Sequence, residues 1–77
     1  MIFMAKETKE ERFIRIAEAR TNKILHKLRL LGNCSNKANY EYTDEDVKKI
    51  FGVLEKELKN TRMRFQETSN SESKFTL

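Results

Sequence analysis

The fold is decided by residues 29–43, which read RLLGNCSNKANYEYT and join two amphipathic helical patterns. A connection that only reversed the chain could be about a third as long. This one holds three asparagines, two tyrosines, a lysine and the only cysteine of the chain. The segment therefore indicates two helices joined by a long polar connector that does more than turn the chain.

The residues before the connector predict a first helix over 6–31. Its apolar residues recur at spacings of three, four and seven, as in a helix that faces a core. Gly32 is expected to end this helix in the left-handed conformation, with Lys27 and Arg29 in the last turn. The connector then covers 32–43. The apolar face comprises Phe13, Ile14, Ala17, Thr21, Ile24, Leu25, Leu28 and Leu31.

A second helix is predicted over 44–65. Thr43 and Asp46 have the spacing of a capping box, although this motif prefers the longer glutamate or glutamine at its last position. Tyr42 before the cap and Val47 in the helix match a hydrophobic staple. The apolar face of this helix comprises Val47, Ile50, Phe51, Leu54, Leu58 and Phe65, with Thr61 in the gap.

These patterns predict an all-α protein whose domain, residues 6–65, is an antiparallel two-helix hairpin. Residues 1–5 are expected to be flexible or to cover the hairpin, and residues 66–77 to form a disordered tail. A chain of 77 residues buries only about 60% of its unfolded surface, so its stability alone is marginal. A homodimer that forms a four-helix bundle would cover the open side of the hairpin.

Composition argues against several classes of protein. A single cysteine cannot form an intramolecular disulfide, and Cys34 with His26 cannot complete a tetrahedral zinc site. No apolar run approaches the ~20 residues of a membrane span. His26 has no carboxylate or serine at helical contact spacing on its own face. We therefore expect a cytoplasmic protein that is not an enzyme and has no catalytic residue, metal or cofactor.

The basic residues concentrate near the end of the first helix. The net charge is +4, and no acidic residue lies between Glu18 and Glu41. Lysine and arginine neutralise phosphates, and tyrosine offers a face for stacking bases. Asparagines also suit left-handed backbone and unpaired amides near helix ends, so a structural role stays open for them. The predicted binding residues are Lys23, Lys27, Arg29, Asn33, Asn36, Lys37 and Tyr40.

Arg20 and Glu57 are predicted to form a structural pair. Arg20 falls within the apolar stripe of the first helix, and Glu57 lies at the edge of the second stripe. A buried ion pair does more to fix the register of two helices than to add stability. The pair is therefore expected to align the hairpin or the dimer.

The chain contains the strings RTNK at 20–23, RLLGNCSNK at 29–37, YEYT at 40–43 and KIF at 49–51. With these strings it resembles a group of small proteins encoded on phages, plasmids and conjugative elements, mostly of Gram-positive bacteria. The resemblance covers about residues 12–65. It implies a mobile genetic element as the setting, and it carries over no catalytic residues because the group has no established activity.

Two functions from different classes remain. The first is an accessory protein of a mobile element that binds nucleic acid through the basic end of the first helix and the connector. The alternative is an inhibitor or adaptor that binds a host or defence protein. A basic chain argues against mimicry of nucleic acid, which requires acidic charge, but leaves other kinds of inhibition open.

Overall fold

The described part of the structure is all-helical. A computed structural model of the chain describes residues 6–72, with side chains through residue 68, and within that range it contains two α-helices and no strand. Helix α1 is Lys9–Asn33 and helix α2 is Asp44–Glu72. The chain divides into two units, Met1–Glu41 and Tyr42–Leu77, and each is described by itself. The predicted all-α class is confirmed.

Helix α1 begins with a capping box that the sequence prediction missed. The amide of Glu11 donates to the hydroxyl of Thr8 at 3.0 Å, and the amide of Thr8 donates back to a Glu11 carboxylate oxygen at 3.0 Å. Two amides that the first turn would leave unpaired are thereby satisfied. The helix accordingly starts at Lys9, not at residue 6.

The end of α1 differs from the expectation for Gly32. No described glycine has a positive φ, and Gly32 lies inside the helix, which continues to Asn33. The helix closes with a right-handed cap at Cys34, whose amide donates to the Leu31 carbonyl at 2.9 Å, while the Ser35 amide donates to the Gly32 carbonyl at 3.0 Å. These tight bonds satisfy the last carbonyls without a left-handed residue, so the prediction for Gly32 was wrong.

Because α1 is longer at its C-terminal end than predicted, the basic residues expected in its last turn lie outside that turn. With the helix ending at Asn33, its last turn contains no basic residue. Lys27 and Arg29 therefore lie two residues further from the helix end than predicted. The connector begins at residue 34 instead of residue 32.

Helix α2 begins as the sequence predicted. The amide of Asp46 donates to the hydroxyl of Thr43 at 3.0 Å, and the amide of Thr43 donates to an Asp46 carboxylate oxygen at 2.9 Å. The shorter aspartate therefore still closes the capping box. Tyr42 and Val47 are partly buried, as the predicted hydrophobic staple requires.

Helix α2 is longer than predicted and ends at Glu72, so residues 66–72 are helical and not a disordered tail. Gln66 and Glu67 have good helix propensity, and extending an existing helix costs far less than starting one. The hydroxyl of Thr68 donates to the carbonyl of Arg64 at 3.0 Å within this extension. The predictions for residues 1–5 and 73–77 lie outside the described residues.

None of the side chains from residue 6 to residue 68 is fully buried. The large apolar residues of both predicted faces are exposed or only partly buried, Phe13 and Leu58 being 57% and 60% exposed. The antiparallel pairing of the helices and the dimeric bundle stay predictions. The partly buried residues of the described chain are Glu7, Ile16, Ala17, Leu31, Tyr42 and Val47.

Removing the hydroxyl of either cap should destabilise the helix that it starts. Thr8→Ala should lower the stability of α1 by about 1 kcal/mol, because a first-turn amide loses its acceptor. Thr43→Ala should lower the stability of α2 by a similar amount for the same reason. Backbone amide hydrogen exchange reports both helices in one sample, so each variant serves as the control for the other. Equal loss of protection in both helices of Thr8→Ala would contradict independent capping.

Candidate nucleic-acid interface

All seven predicted binding residues lie in the first unit, Met1–Glu41. Four belong to α1 and three to the connector, so one helix and the segment that follows it position the whole set. The helical four are Lys23, Lys27, Arg29 and Asn33, and the connector residues are Asn36, Lys37 and Tyr40.

Helical geometry divides the four α1 residues between two flanks. Lys23 and Lys27 are four positions apart and therefore lie on the same face. Arg29 follows Lys27 by two positions, which places it about 200° further around the axis. Asn33 shares the flank of Arg29. The structure therefore brings Lys23 and Lys27 together but separates them from Arg29 and Asn33.

Two arginines that the sequence prediction left out extend the face of the lysines. Arg12, Arg20, Lys23 and Lys27 form a basic stripe at spacings of three and four, with Ile16 between the two arginines and Leu30 just beyond Lys27. From Arg12 to Lys27 the stripe rises by fifteen residue-to-residue steps, or about 22 Å of helix. Its four cationic side chains are exposed. The signal that could have found Arg12 and Arg20 was this spacing, applied to charges as well as to apolar residues.

The acidic residues of α1 lie away from the basic stripe. Glu10, Glu11 and Glu18 project about 100° or more from its centre line, by the rotation of 100° per residue in an α-helix. Glu11 and Glu18 both lie within about 20° of Arg29 around the helix axis. The positive potential is therefore stronger along the stripe than around the rest of the helix.

A carboxylate just before α1 neutralises one further arginine. The guanidinium of Arg15 donates to both carboxylate oxygens of Glu7, Nε to Oε2 at 2.7 Å and a terminal nitrogen to Oε1 at 2.9 Å. These hydrogen bonds lower the pKa of Glu7 and raise the pKa of Arg15. Arg12 lies 3.9 Å from the same carboxylate. The cations of the stripe beyond this pair are Arg20, Lys23 and Lys27.

Asn36 organises the connector. Its side-chain oxygen accepts from the amide of Ala38 at 2.9 Å, and its carbonyl accepts from the amides of Asn39 and Tyr40 at 3.1 and 3.0 Å. No described residue has a positive φ, so the asparagines here do not supply left-handed backbone. For Asn36 the structural role left open by the sequence is supported, through hydrogen bonding.

The remaining connector residues present polar and aromatic groups. Lys37 lies in the turn that Asn36 closes, and Tyr40 follows it with its side chain 52% exposed. An exposed tyrosine ring can stack on a base while its hydroxyl contacts a phosphate or water. These two residues and the stripe belong to the same unit.

Three residues singled out by the sequence, Arg20, Glu57 and Cys34, are exposed. Arg20 and Glu57 are both exposed, belong to different units, and their pairing stays a prediction. Cys34 is an exposed free thiol whose sulfur lies 3.9 Å from the carbonyl oxygen of Leu30.

Within residues 6–72, no cluster of three or more histidine, cysteine, aspartate or glutamate side chains is arranged to bind a metal ion. Neither described helix combines the length and the apolar character that a membrane span requires.

No protein-family model, curated protein or solved structure matches this chain. A function therefore has to be inferred from the geometry and charge of the described residues.

Replacing Asn36 should separate its role in the turn from any role in binding. Asn36→Ala removes the acceptor of the Ala38 amide and should cost the turn about 1 kcal/mol, whereas Asn36→Asp keeps an acceptor oxygen. Hydrogen exchange at Ala38 measures the difference, with Asn39→Ala as the control. Unchanged exchange at Ala38 in Asn36→Ala would show that the side chain does not hold the turn.

Acidification should weaken the start of α1 through Glu7. The pKa of Glu7 is lowered from 4.5 in the folded chain, so its pair with Arg15 contributes fully above pH 4.5 and is lost as the pH falls through the folded-state value. At neutral pH, the melting temperature followed by circular dichroism should be higher for the wild type than for Glu7→Gln. This difference should disappear in acid. A difference that does not depend on pH would contradict the ion pair.

Proposed function

We propose that this chain is a non-enzymatic, cytoplasmic accessory protein that binds nucleic acid through the basic stripe of α1. The observation that carries the proposal is the alignment of four exposed cations along about 22 Å of helix, with the acidic residues on other faces. The resemblance to small proteins of mobile genetic elements supports an accessory role in that setting.

The stripe suits contacts with phosphates better than contacts with base edges. Duplex DNA carries one negative charge per about 1.7 Å of its axis, so a helix laid along it meets many phosphates within 22 Å. Contacts to phosphates position a protein without reading sequence. We therefore infer binding with little sequence preference and a strong dependence on salt.

The connector adds a second kind of contact. Tyr40 is half exposed and lies in the same unit as the stripe. Stacking of one base on an aromatic side chain is worth about 1–3 kcal/mol and tolerates any base. Lys37 adds positive charge close to the ring in sequence. Single strands, whose bases are accessible, should therefore gain more from the connector than duplexes do.

The proposal also includes an assembly. We infer that the two helices pair as an antiparallel hairpin and that two hairpins form a four-helix bundle, because both apolar faces need a cover. The exposure of Phe13, Ile14 and Ile24, at 57%, 53% and 59%, supports this need. Two stripes in one dimer would contact nucleic acid together, which raises avidity without new contacts.

A second candidate function is favoured by the same exposed apolar face of α1. An amphipathic helix with large exposed apolar residues can lie in the groove of another protein. The chain would then act as an inhibitor or adaptor on a host or defence protein, with the basic stripe at the rim of the interface. Recovery of a specific protein partner after nuclease treatment would favour this candidate.

Substitution of the two adjacent lysines of the stripe tests the first candidate. Lys23→Gln with Lys27→Gln should weaken binding of a labelled oligonucleotide and lower the slope of log affinity against log salt by about 2, because each lysine neutralises about one phosphate. Lys56→Gln with Lys59→Gln is the matched control, since it removes the same charge from α2. Fluorescence anisotropy between about 50 and 200 mM salt measures both slopes.

The outcome depends on which variant changes the slope. A loss confined to the α1 double variant supports the stripe, and Arg29→Gln, on the other flank, should have a smaller effect. Equal losses in the α1 and α2 variants would indicate a general charge effect. An affinity of the wild type that does not change with salt would overturn the proposal.

A further inference from the structure

Most of the apolar face predicted for α2, extended by Thr68, follows a strict alternation of four and three residues. One row repeats every seven residues and is large and apolar: Phe51, Leu58 and Phe65. The other row also repeats every seven: Val47, Leu54, Thr61 and Thr68. Two such rows are the pattern of a coiled-coil seam. These seven residues are called the α2 seam.

The large residues of the α2 seam are well exposed. Leu58 and Phe65 are each 60% exposed, Phe51 is 47% exposed and Leu54 is 38% exposed. Removing this surface from water is favourable in proportion to its apolar area. The seam therefore has the composition and exposure of a helix face that packs against another helix.

The hydroxyl donors of the two threonines in the α2 seam are already paired within the helix. The hydroxyl of Thr61 donates to the carbonyl of Glu57 at 2.8 Å, and the hydroxyl of Thr68 donates to the carbonyl of Arg64 at 3.0 Å. A hydroxyl costs much less to bury when its donor already has a partner. Both threonines can therefore lie inside a helix interface without leaving the hydroxyl donor unpaired.

The sizes of the seam residues favour an antiparallel pair of α2 helices. When Leu58 lies opposite Thr61 of a second copy, Phe51 falls opposite Thr68 of that copy, and Leu54 opposite its Phe65. Each layer then combines a larger and a smaller side chain, which fills space better than layers of equal size. In a parallel pair each phenylalanine would face its own equivalent, and so would each threonine.

The charges beside the seam favour the same arrangement. In this antiparallel register Glu55 lies beside Arg62 of the second copy, and Glu57 lies beside Arg64 of that copy. By symmetry the dimer has four such pairs and no like-charged pair among these positions. A parallel pair would place only Glu57 near Arg62, with Glu55 beside Ile50. Charges flanking a coiled-coil seam set the choice and orientation of the partner.

We propose that the α2 seam is the dimer interface, and that its occupant is the α2 helix of a second copy of this chain in antiparallel orientation. The inference deepens the dimer included in the proposed function and does not depend on nucleic-acid binding. It gives that dimer a register, with Leu58 opposite Thr61, and an orientation that the charges select.

Charge reversal beside the seam tests the proposal by sedimentation of the full chain without nucleic acid. Glu55→Arg and Arg62→Glu, each alone, should raise the dimer dissociation constant at least about tenfold, because attraction becomes repulsion at two symmetric places. The double variant should regain the wild-type constant. An equimolar mixture of the two single variants should form a heterodimer. Lys56→Glu and Lys59→Glu, which point away from the seam, are the matched controls.

Several outcomes would overturn the antiparallel seam. A dimer that responds to Arg62→Glu but not to Glu55→Arg would be parallel. A wild type that stays monomeric would show that the seam is covered within the chain. A dimer unaffected by either change would place the interface elsewhere. Failure here is distinct from failure of the proposed function, since Lys23→Gln with Lys27→Gln alters nucleic-acid affinity and leaves sedimentation of the protein alone unchanged.

Discussion

Both helices of this chain depend on a reciprocal pair of hydrogen bonds at their first turn. Thr8 with Glu11 and Thr43 with Asp46 each satisfy two amides that have no partner within the helix. Because none of the described side chains is fully buried, packing does little to decide where the helices begin. The caps therefore set the first residue of each helix. The basic stripe and the α2 seam are both faces of helices that begin at these caps.

The sequence allowed some of these features to be predicted and not others, for physical reasons. The second capping box, the start of α2 and the all-α class followed from local patterns. The box at Thr8 has the same kind of sequence pattern, a threonine followed three residues later by a glutamate, so it was equally predictable. The prediction for Gly32 was wrong because glycine permits the left-handed conformation without requiring it. The helical state of residues 66–72 could not be inferred from their polarity, since an established helix extends through polar residues at little cost.

The sequence indicated candidate binding residues but not how they are arranged around helix α1. All seven residues fall in one unit, yet counting basic residues along the chain could not show that Lys27 and Arg29 lie on different flanks. That distinction appears only when each residue is placed at its angle around α1. The same helical angles place Arg12 and Arg20 on the face of Lys23 and Lys27. For Asn36, the hydrogen bonds that close the turn support a structural role, and they depend on a backbone conformation that composition does not determine. Its role in binding stays a prediction.

The absence of positive φ angles in the described chain has a consequence for how the connector can change over evolution. A turn that needs left-handed backbone restricts its key positions to glycine or asparagine, and drift there is slow. This connector runs from Cys34 to Thr43 through conformations that every L-amino acid other than proline readily adopts. Backbone stereochemistry thus leaves its sequence nearly unrestricted. What limits drift is the need for an acceptor at Asn36, for the cap at Thr43, and for whatever Lys37 and Tyr40 contact.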